Sequence, residues 1–231
     1  MLYFIPTPIW NLDDISLRAL KLFKSLNIFF CEDTRTFKWL LTKYDIDYSW
    51  KQFFSITSYT KAWKLEFYKQ LMKENDIGVV SEAWTPGLSD PWKELVRIAN
   101  EENISYEVLP GANALVPAVV SACFDTSKFI YLWFLPQKKW RQTMIKWILQ
   151  QDLPVFIYES VHRIKKTLWQ LKDFWFEWKI FLAREISKMY EQKECGQIDE
   201  IIEKIEKEEI KLKGEFVLGI KKEIKADLGN L

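Results

Sequence analysis

The sequence predicts an α/β protein made of two α/β domains. Three observations lead there. Short apolar runs alternate with helix-period segments through about the first 110 residues, the pattern of a largely parallel sheet with helical crossovers. The alternation breaks at Pro110-Gly111 and resumes with different spacing. At 231 residues and 48% hydrophobic side chains, the chain suits one large or two small domains and can bury a sizeable core.

Taken in order, Leu2–Ile5 reads as a strand. Asp13 or Asp14 can cap a helix carrying Ile15, Leu17, Leu20 and Leu22. Ile28–Cys31 is a second strand, followed by a helix through Phe37, Leu40 and Leu41. Phe53–Ile56 fits a third strand, and residues 60–74 have a helical pattern. Ile77–Val80 is a fourth strand, ending in the loop SEAWTPGLSDP. A helix from about Pro91 to Asn100 precedes a fifth strand at Tyr106–Leu109. The small-residue helix ANALVPAVVSA then links two expected domains, residues 1–117 and 118–231. Beyond it, Phe129–Trp133 and Val155–Tyr158 read as strands around a basic helix at 138–150. A helix over Arg163–Phe174, a strand at Lys179–Ala183, an amphipathic helix at 199–211 and a closing strand at Glu215–Ile220 complete the pattern.

Charge is balanced, 33 Lys+Arg against 32 Asp+Glu, which excludes a wholly basic nucleic-acid coat and an acidic disordered tail. Cys31, Cys123 and Cys195 are far apart and form no CxxC, so neither a disulfide framework nor a zinc site is expected. The N-terminus lacks a basic n-region, and the longest apolar stretch, around Ala112–Phe124, is too short to span a bilayer. A cytoplasmic protein with no membrane partner is the expectation. Phosphate-cradling GxGxxG and GxxxxGK[ST] loops are absent, which disfavours dinucleotide-dependent dehydrogenases and P-loop NTPases. His162 is the only histidine, so a two-histidine metal site is excluded and no metal is expected.

In an open α/β sheet, ligands sit beyond the carboxyl ends of the strands. Four such ends carry polar or Pro/Gly chemistry: Pro6-Thr7-Pro8-Ile9-Trp10, Cys31-Glu32-Asp33-Thr34-Arg35, Ser81 to Gly87, and Pro110 to Ala114. Ordinary turns would also use these residues; a shared edge would make them one pocket for a small polar ligand. Basic residues gather later, with Lys138, Lys139, Arg141 and Lys146 in one stretch and Arg163, Lys165 and Lys166 in another. A solvated helix face or an anionic partner accounts for them. Arg184-Glu185 with Lys188 can form an ion-pair cluster after a strand.

The segments LYFIPTPIWNLDDISLRAL, CEDTR, SEAWTPGLSDP, LPGANAL, FLPQKK, YESVHRI, LAREISK and KGEFVL occur in that order. Together they resemble the ribosomal RNA small subunit methyltransferase I family, a branch of the tetrapyrrole methylase fold, over nearly the whole chain to about residue 220. The resemblance implies S-adenosylmethionine bound in a cleft between two α/β domains. It implies 2′-O-methylation of a cytidine in 16S rRNA of the 30S subunit, usually by a homodimer. Pro6, Thr7, Pro8 and Trp10 would floor the cofactor site, Glu82, Ala83, Trp84 and Thr85 would edge it, and Gly111, Asn113 and Ala114 would complete it. Glu82 stands where the family has Asp, Val161 where ESPHR has Pro, and Asn113 in place of a common Ser. A sulfonium methyl is already activated, so alignment of the 2′-oxygen is the main task, with a nearby group taking its proton. Glu32, Asp33, Glu185 and Lys188 are the candidates for that group, and Arg35, Lys138, Arg163 and Arg184 for RNA contact. A tetrapyrrole-type small-molecule methylase and an RNA-binding relic without catalysis are the alternatives. A porphyrinoid substrate would mark the first, and failure to bind S-adenosylmethionine the second.

One imbalance stands out: 12 Trp against 7 Gly. Average usage, about 7%, would give roughly 16 Gly in such a chain. Trp10, Trp84, Trp92 and Trp133 stand where the family's motifs have glycine. Trp140 follows KK in a loop-like place, and Trp175 and Trp178 flank a helix-to-strand turn. A bulky residue at positive φ is strained. UGA codons that mean glycine in the cell, but are translated as Trp, would produce this pattern. Reading all twelve as glycine would bring glycine to about 8%, near the average.

Overall fold

The computed structural model describes residues 1–56, 60, 62–87, 92–174 and 178–223. The chain divides into two compact units, Met1–Asn113 and the residues from Ala114 on. Position 117, where the linking helix was expected to divide the domains, lies inside a helix of the second unit.

The first unit is a five-stranded parallel sheet in the order β3-β2-β4-β1-β5. Its strands are β1 (Leu2–Ile5), β2 (Ile28–Cys31), β3 (Gln52–Ser55), β4 (Ile77–Val80) and β5 (Tyr106–Val108). Between them run α1 (Leu17–Ser25), α2 (Thr34–Lys43), α3 (Ala62–Glu74) and α4 (Lys93–Glu101). β2 and β4 are buried along their whole length, which explains their continuous apolar reading. The period-2 alternation of strands sorts their side chains between two cores. Leu2, Phe4, Ile28, Phe30, Ile77 and Val79 face one core with Tyr68 and Met72 of α3 and Leu95 and Ile98 of α4. Ile5, Phe29, Cys31 and Val80 face the other with Phe23 of α1 and Phe37 and Leu41 of α2. A Cβ at Gly78 would strike the Phe29 ring, so this strand position requires glycine.

The α1 start differs from expectation. Asp13 and Asp14 lie in a 3-10 turn, Leu12–Asp14, and Ser16 caps α1 by accepting from the Ala19 N–H at 3.0 Å. Leu17 therefore points outward, and the apolar stripe starts at Ala19 and Phe23. Pro91, the expected start of α4, lies outside the described residues, as do Ser89, Asp90 and Trp175.

The second unit opens with α5 (Leu115–Ser121) and holds a mixed sheet in the order β6-β7-β10-β8-β9. These strands are β6 (Ile130–Phe134), β7 (Val155–Ser160), β8 (Trp178–Arg184), β9 (Gln192–Gln197) and β10 (Glu215–Lys222). Only β6 and β7 pair in parallel; β10 is antiparallel to both neighbours and β9 to β8. The helices are α6 (Arg141–Ile148), α7 (Ile164–Lys172) and α8 (Ile198–Glu206). Ile145 and Ile148, Ile164, Leu168 and Leu171, and Ile201 and Ile205 bury one stripe of each against Ile157, Ile180 and Leu218. α6 starts three residues later than expected, because Trp140 has left-handed backbone at its N-cap. α8 ends at Glu206, ahead of the expected 211, with Glu208 at φ 59°.

β9 was not foreseen. It is an edge strand with one partner, and its sequence QKECGQ carries no apolar alternation. It brings Cys195 beside Cys123, 72 residues earlier, at a Cα separation of 6.3 Å, within the span of a disulfide. Cys31 is a buried free thiol. Among the described residues no helix is long and apolar enough to cross a membrane.

Candidate functional site

Because β1, β2, β4 and β5 are parallel, their carboxyl ends share one edge of the first sheet. Three of the four loops wall one cavity there. Thr7, Pro8 and Trp10 come from the β1 loop, Cys31, Glu32 and Asp33 from the β2 loop, and Ser81 and Glu82 from the β4 loop. Thr36, Phe37, Trp39 and Leu40 of α2 close it. The loops brace one another. The Thr7 N–H donates to the Trp84 carbonyl at 3.2 Å, and Thr7 Oγ1 donates to the Ser81 carbonyl at 3.2 Å. Ser81 Oγ lies 2.9 Å from the Ala83 carbonyl and 3.0 Å from that of Trp84. The β5 loop joins through Gly111, where any Cβ would collide with the Pro6 ring. Asn113 donates to the Gly111 carbonyl at 3.4 Å. Thr85 is half-buried beside this loop core and Ala83 is buried. Ala114 belongs to the second unit, where its N–H and that of Leu115 are directed at the Tyr158 hydroxyl.

Two of these loops bend through tryptophan. Trp10 has φ 78° and Trp84 φ 63°. Left-handed backbone costs an L-residue about 1–2 kcal/mol. Trp140, in the second unit, has φ 70°. The cavity that Trp10 helps to wall has a volume of about 30 Å³. That admits water, whereas small-molecule pockets run to ~300–1,000 Å³. The loops fit a nucleoside cofactor in their polar chemistry and close backbone packing, and Trp10 narrows the cavity that three of them wall. Trp92 and Trp133 differ from these three. Trp92 has φ −68° in the buried core, and Trp133 sits in β6 at a register shift.

The four candidate proton acceptors have different surroundings. Asp33 caps α2 and accepts from the Arg35 N–H at 2.7 Å and its guanidinium at 2.6 Å. The Arg35 side chain foremost, with its N–H, holds the Asp33 carboxyl at about 2, making it a weak base. Glu32 stands in the cavity wall. Glu185, in the second unit, would be raised by burial. Hydrogen bonds from Lys188 at 2.8 Å and the Glu215 N–H at 2.9 Å outweigh this and hold it below the usual range. Burial would likewise lower Lys188, but its bonds to Glu185 and Glu215 prevail and keep it charged. Cys31 beside the cavity is inert as a thiol, pushed up to about 12 chiefly by burial.

The candidate RNA-contact residues divide in two. Arg35 and Lys138 are exposed. Arg184 is buried, donating from Nε to the Lys213 carbonyl at 2.6 Å and from Nη1 to the Tyr190 carbonyl at 3.1 Å. Arg163 donates from Nη1 to the Leu135 carbonyl at 2.9 Å and pairs with Glu159 at 2.8 Å. Glu159, 1% exposed, is not apparent from sequence reasoning, and neither are two of its partners. Thr167 Oγ1 lies 2.7 Å from Glu159 Oε2 and accepts from Arg141 Nη2 at 2.7 Å. Arg141 also donates to Gln170 and to the Pro136 carbonyl. Two signals could have found this node. Glu159 continues the inward period-2 set Val155, Ile157, and Arg141 continues the buried stripe of Ile145 and Ile148. A carboxylate and a guanidinium at core positions need each other.

The ties between this node and the 135–141 segment set that segment beside the first turns of α7. The segments 134–151 and 160–172 contain Lys138, Lys139, Lys146, Lys165 and Lys166, all exposed, and no acidic residue.

A fold of this kind, a parallel α/β unit followed by a mixed α/β unit, defines a class. Residues 1–202 match the family model described as Tetrapyrrole (Corrin/Porphyrin) Methylases. The solved structure of the methyltransferase CobJ has a TM-score of 0.66 at 10% identity, covering 96% of this chain and 93% of that one. The cobalt precorrin-4 methyltransferase CbiF gives 0.62 at 14% identity, covering 94% and 93%. Within the class, proteins named ribosomal RNA small subunit methyltransferase I are much nearer in sequence. The Helicobacter pylori protein is 38% identical, covering 98% of this chain and 85% of its own. The Hydrogenobaculum protein is 37% identical (96% of each), and that of Mycoplasmopsis pulmonis 36% (94% and 96%). The chain belongs to the ribosomal RNA small subunit methyltransferase I family of tetrapyrrole methylases.

Proposed function

We propose that this protein transfers the methyl group of S-adenosylmethionine to the 2′-oxygen of a cytidine in 16S rRNA of the 30S subunit, acting in the cytoplasm as a homodimer. The observation that carries an RNA substrate, rather than a porphyrinoid, is the acid-free lysine face. Lys138, Lys139, Lys165 and Lys166 are exposed around a segment that the buried node holds in place. A phosphate backbone rewards such a surface at every charge, and a single small molecule does not. Lys138 and Arg35 contact phosphate in this reading, while Arg163 braces the surface from behind and Arg184 is held by the Lys213 and Tyr190 carbonyls.

The cofactor lies at the carboxyl edge of the first sheet. Pro6, Thr7 and Pro8 floor it, Glu82, Ala83 and Thr85 edge it, and Gly111, Asn113 and Ala114 complete it. Positions 10 and 84 belong to the same loops. Glu32, which stands in the cavity wall, takes the 2′-hydroxyl proton as the new bond forms. The target nucleotide leaves its stack to reach the edge of the sheet.

The test is a methylation assay on 30S subunits from cells lacking the enzyme, with the product mapped at nucleotide resolution. A 2′-O-methylcytidine in 16S rRNA supports the reading. Methylation of a porphyrinoid with none on the subunits would overturn it in favour of a tetrapyrrole methylase.

A further inference from the structure

We infer that positions 10, 84 and 140 are occupied by glycine in the protein the cell makes, from UGA codons read as glycine. The inference starts from a mismatch between backbone and side chain. Among the described residues, the non-glycine residues with left-handed backbone are Asp45, Asn103, Glu185, Ser187, Glu208 and three tryptophans, Trp10, Trp84 and Trp140. Asp and Asn tolerate this region, and an indole does not favour it. The contrast with the other aromatics is sharp. The chain has 16 Phe and 9 Tyr, and none of those described has left-handed backbone. Left-handed geometry therefore goes with tryptophan in this chain, and not with aromatic character.

Packing does not explain Trp10 and Trp140. Trp10 is 56% exposed and Trp140 is 64% exposed, so neither indole serves as a core anchor. Trp92 and Trp178, in contrast, are fully buried with ordinary backbone. Trp84 lies where the β4 loop turns back on Thr7, a bend that glycine makes without strain. Trp140 forms the N-cap of α6 without any side-chain cap bond, and its exposed ring meets the Lys139 ammonium at 5.4 Å, a weak surface contact. Composition agrees, because 7 Gly in 231 residues falls well short of ordinary usage.

Glycine at these places changes the candidate site. The Trp10 side chain walls a cavity of about 30 Å³. Without it, the Thr7–Pro8 loop and the Glu32 wall open toward a common ligand. Without a Cβ at position 84, the β4 loop can bring its backbone against that ligand.

The inference concerns residue identity, and its primary test is independent of the enzyme's substrate. Peptides spanning positions 10, 84 and 140 are measured by mass spectrometry in the protein isolated from its own cells, and the three codons are read. Glycine masses with UGA codons are expected. Tryptophan masses, or UGG codons, overturn the inference. A second measurement compares melting of the chain expressed with tryptophan against its Trp10→Gly/Trp140→Gly variant, both sites being exposed. The variant is expected to melt higher, and an equal or lower midpoint counts against the strain argument. A glycine-bearing protein that fails to methylate 30S subunits would sink the proposed function and leave this inference standing.

Discussion

Replacing Glu159 by leucine tests the node that holds the lysine face. The carboxylate is 1% exposed and has Arg163 Nε at 2.8 Å, Arg141 Nη2 at 3.8 Å and Thr167 Oγ1 at 2.7 Å. Its removal leaves the Arg141 guanidinium, 4% exposed, without an opposite charge. Breaking a buried pair from one side costs about 3–5 kcal/mol. Arg163 is a fifth exposed and can turn to water, so most of the cost comes from Arg141. Against a total stability of about 5–15 kcal/mol, this is a severe change. Native-state hydrogen exchange at the β7 and β10 amides reads it within the second unit alone. At tenfold per ~1.4 kcal/mol, those amides should exchange two to three orders of magnitude faster. The double variant Glu159→Leu/Arg141→Leu removes both charges and should recover most of the stability, as apolar replacements of whole pairs do. Acceleration of less than about fivefold in the single variant, or a double variant as labile as the sum of its parts, would refute the electrostatic account.

Three further outcomes follow from the same geometry. Lys138→Glu combined with Lys166→Glu should weaken RNA binding and flatten its salt dependence by about 0.7–0.9 in log–log slope for each phosphate no longer neutralised, with S-adenosylmethionine affinity unchanged by calorimetry. A pH titration followed by NMR should find the Asp33 carboxyl near 2, held down by Arg35. Because its folded value lies below the ordinary 3.8, the stability it contributes is complete above that value and is lost as pH falls toward about 2; an Asp33 that titrates at 3.8 contradicts the Arg35 pairing. Cys31, buried and pushed up to about 12, should resist alkylation at pH 8 in the folded protein and react readily in denaturant.

The parallel sheet of the first unit is legible because its central strands are buried on both faces. IFFC and IGVV read as strands on composition alone, and parallel order then places four loops on one edge. The second unit is harder to read for a physical reason. Its sheet is antiparallel apart from one pair, and an edge strand such as QKECGQ needs only one hydrogen-bonded neighbour and little burial. Without β9 nothing in the sequence pairs Cys195 with Cys123. Arg163 and Arg184 read as exposed anion contacts because charge is visible in sequence and burial is not; the structure turns both guanidiniums onto main-chain carbonyls.

The arginines and lysines of the second unit have separate tasks, and their chemistry explains the division. A guanidinium keeps its charge when buried and offers several donors in a fixed plane, so Arg141 and Arg163 can each bind a carboxylate and a carbonyl at once. A lysine ammonium is a compact, strongly hydrated charge on a flexible stem. It is poorly suited to the node and well suited to a phosphate whose position varies along a folded RNA. Glu159 confines the arginines to the interior, and the lysines left outside meet no acidic residue within either segment. The carboxylate of Glu159 is thus held in the core, where its partners fix the backbone of residues 135–141, and segments 134–151 and 160–172 carry basic residues and no acidic one. Moving that carboxylate by one strand position, to residue 160, would take it from the buried Arg141, while Arg163, whose Nε lies 3.2 Å from Ser160 Oγ, would keep a partner.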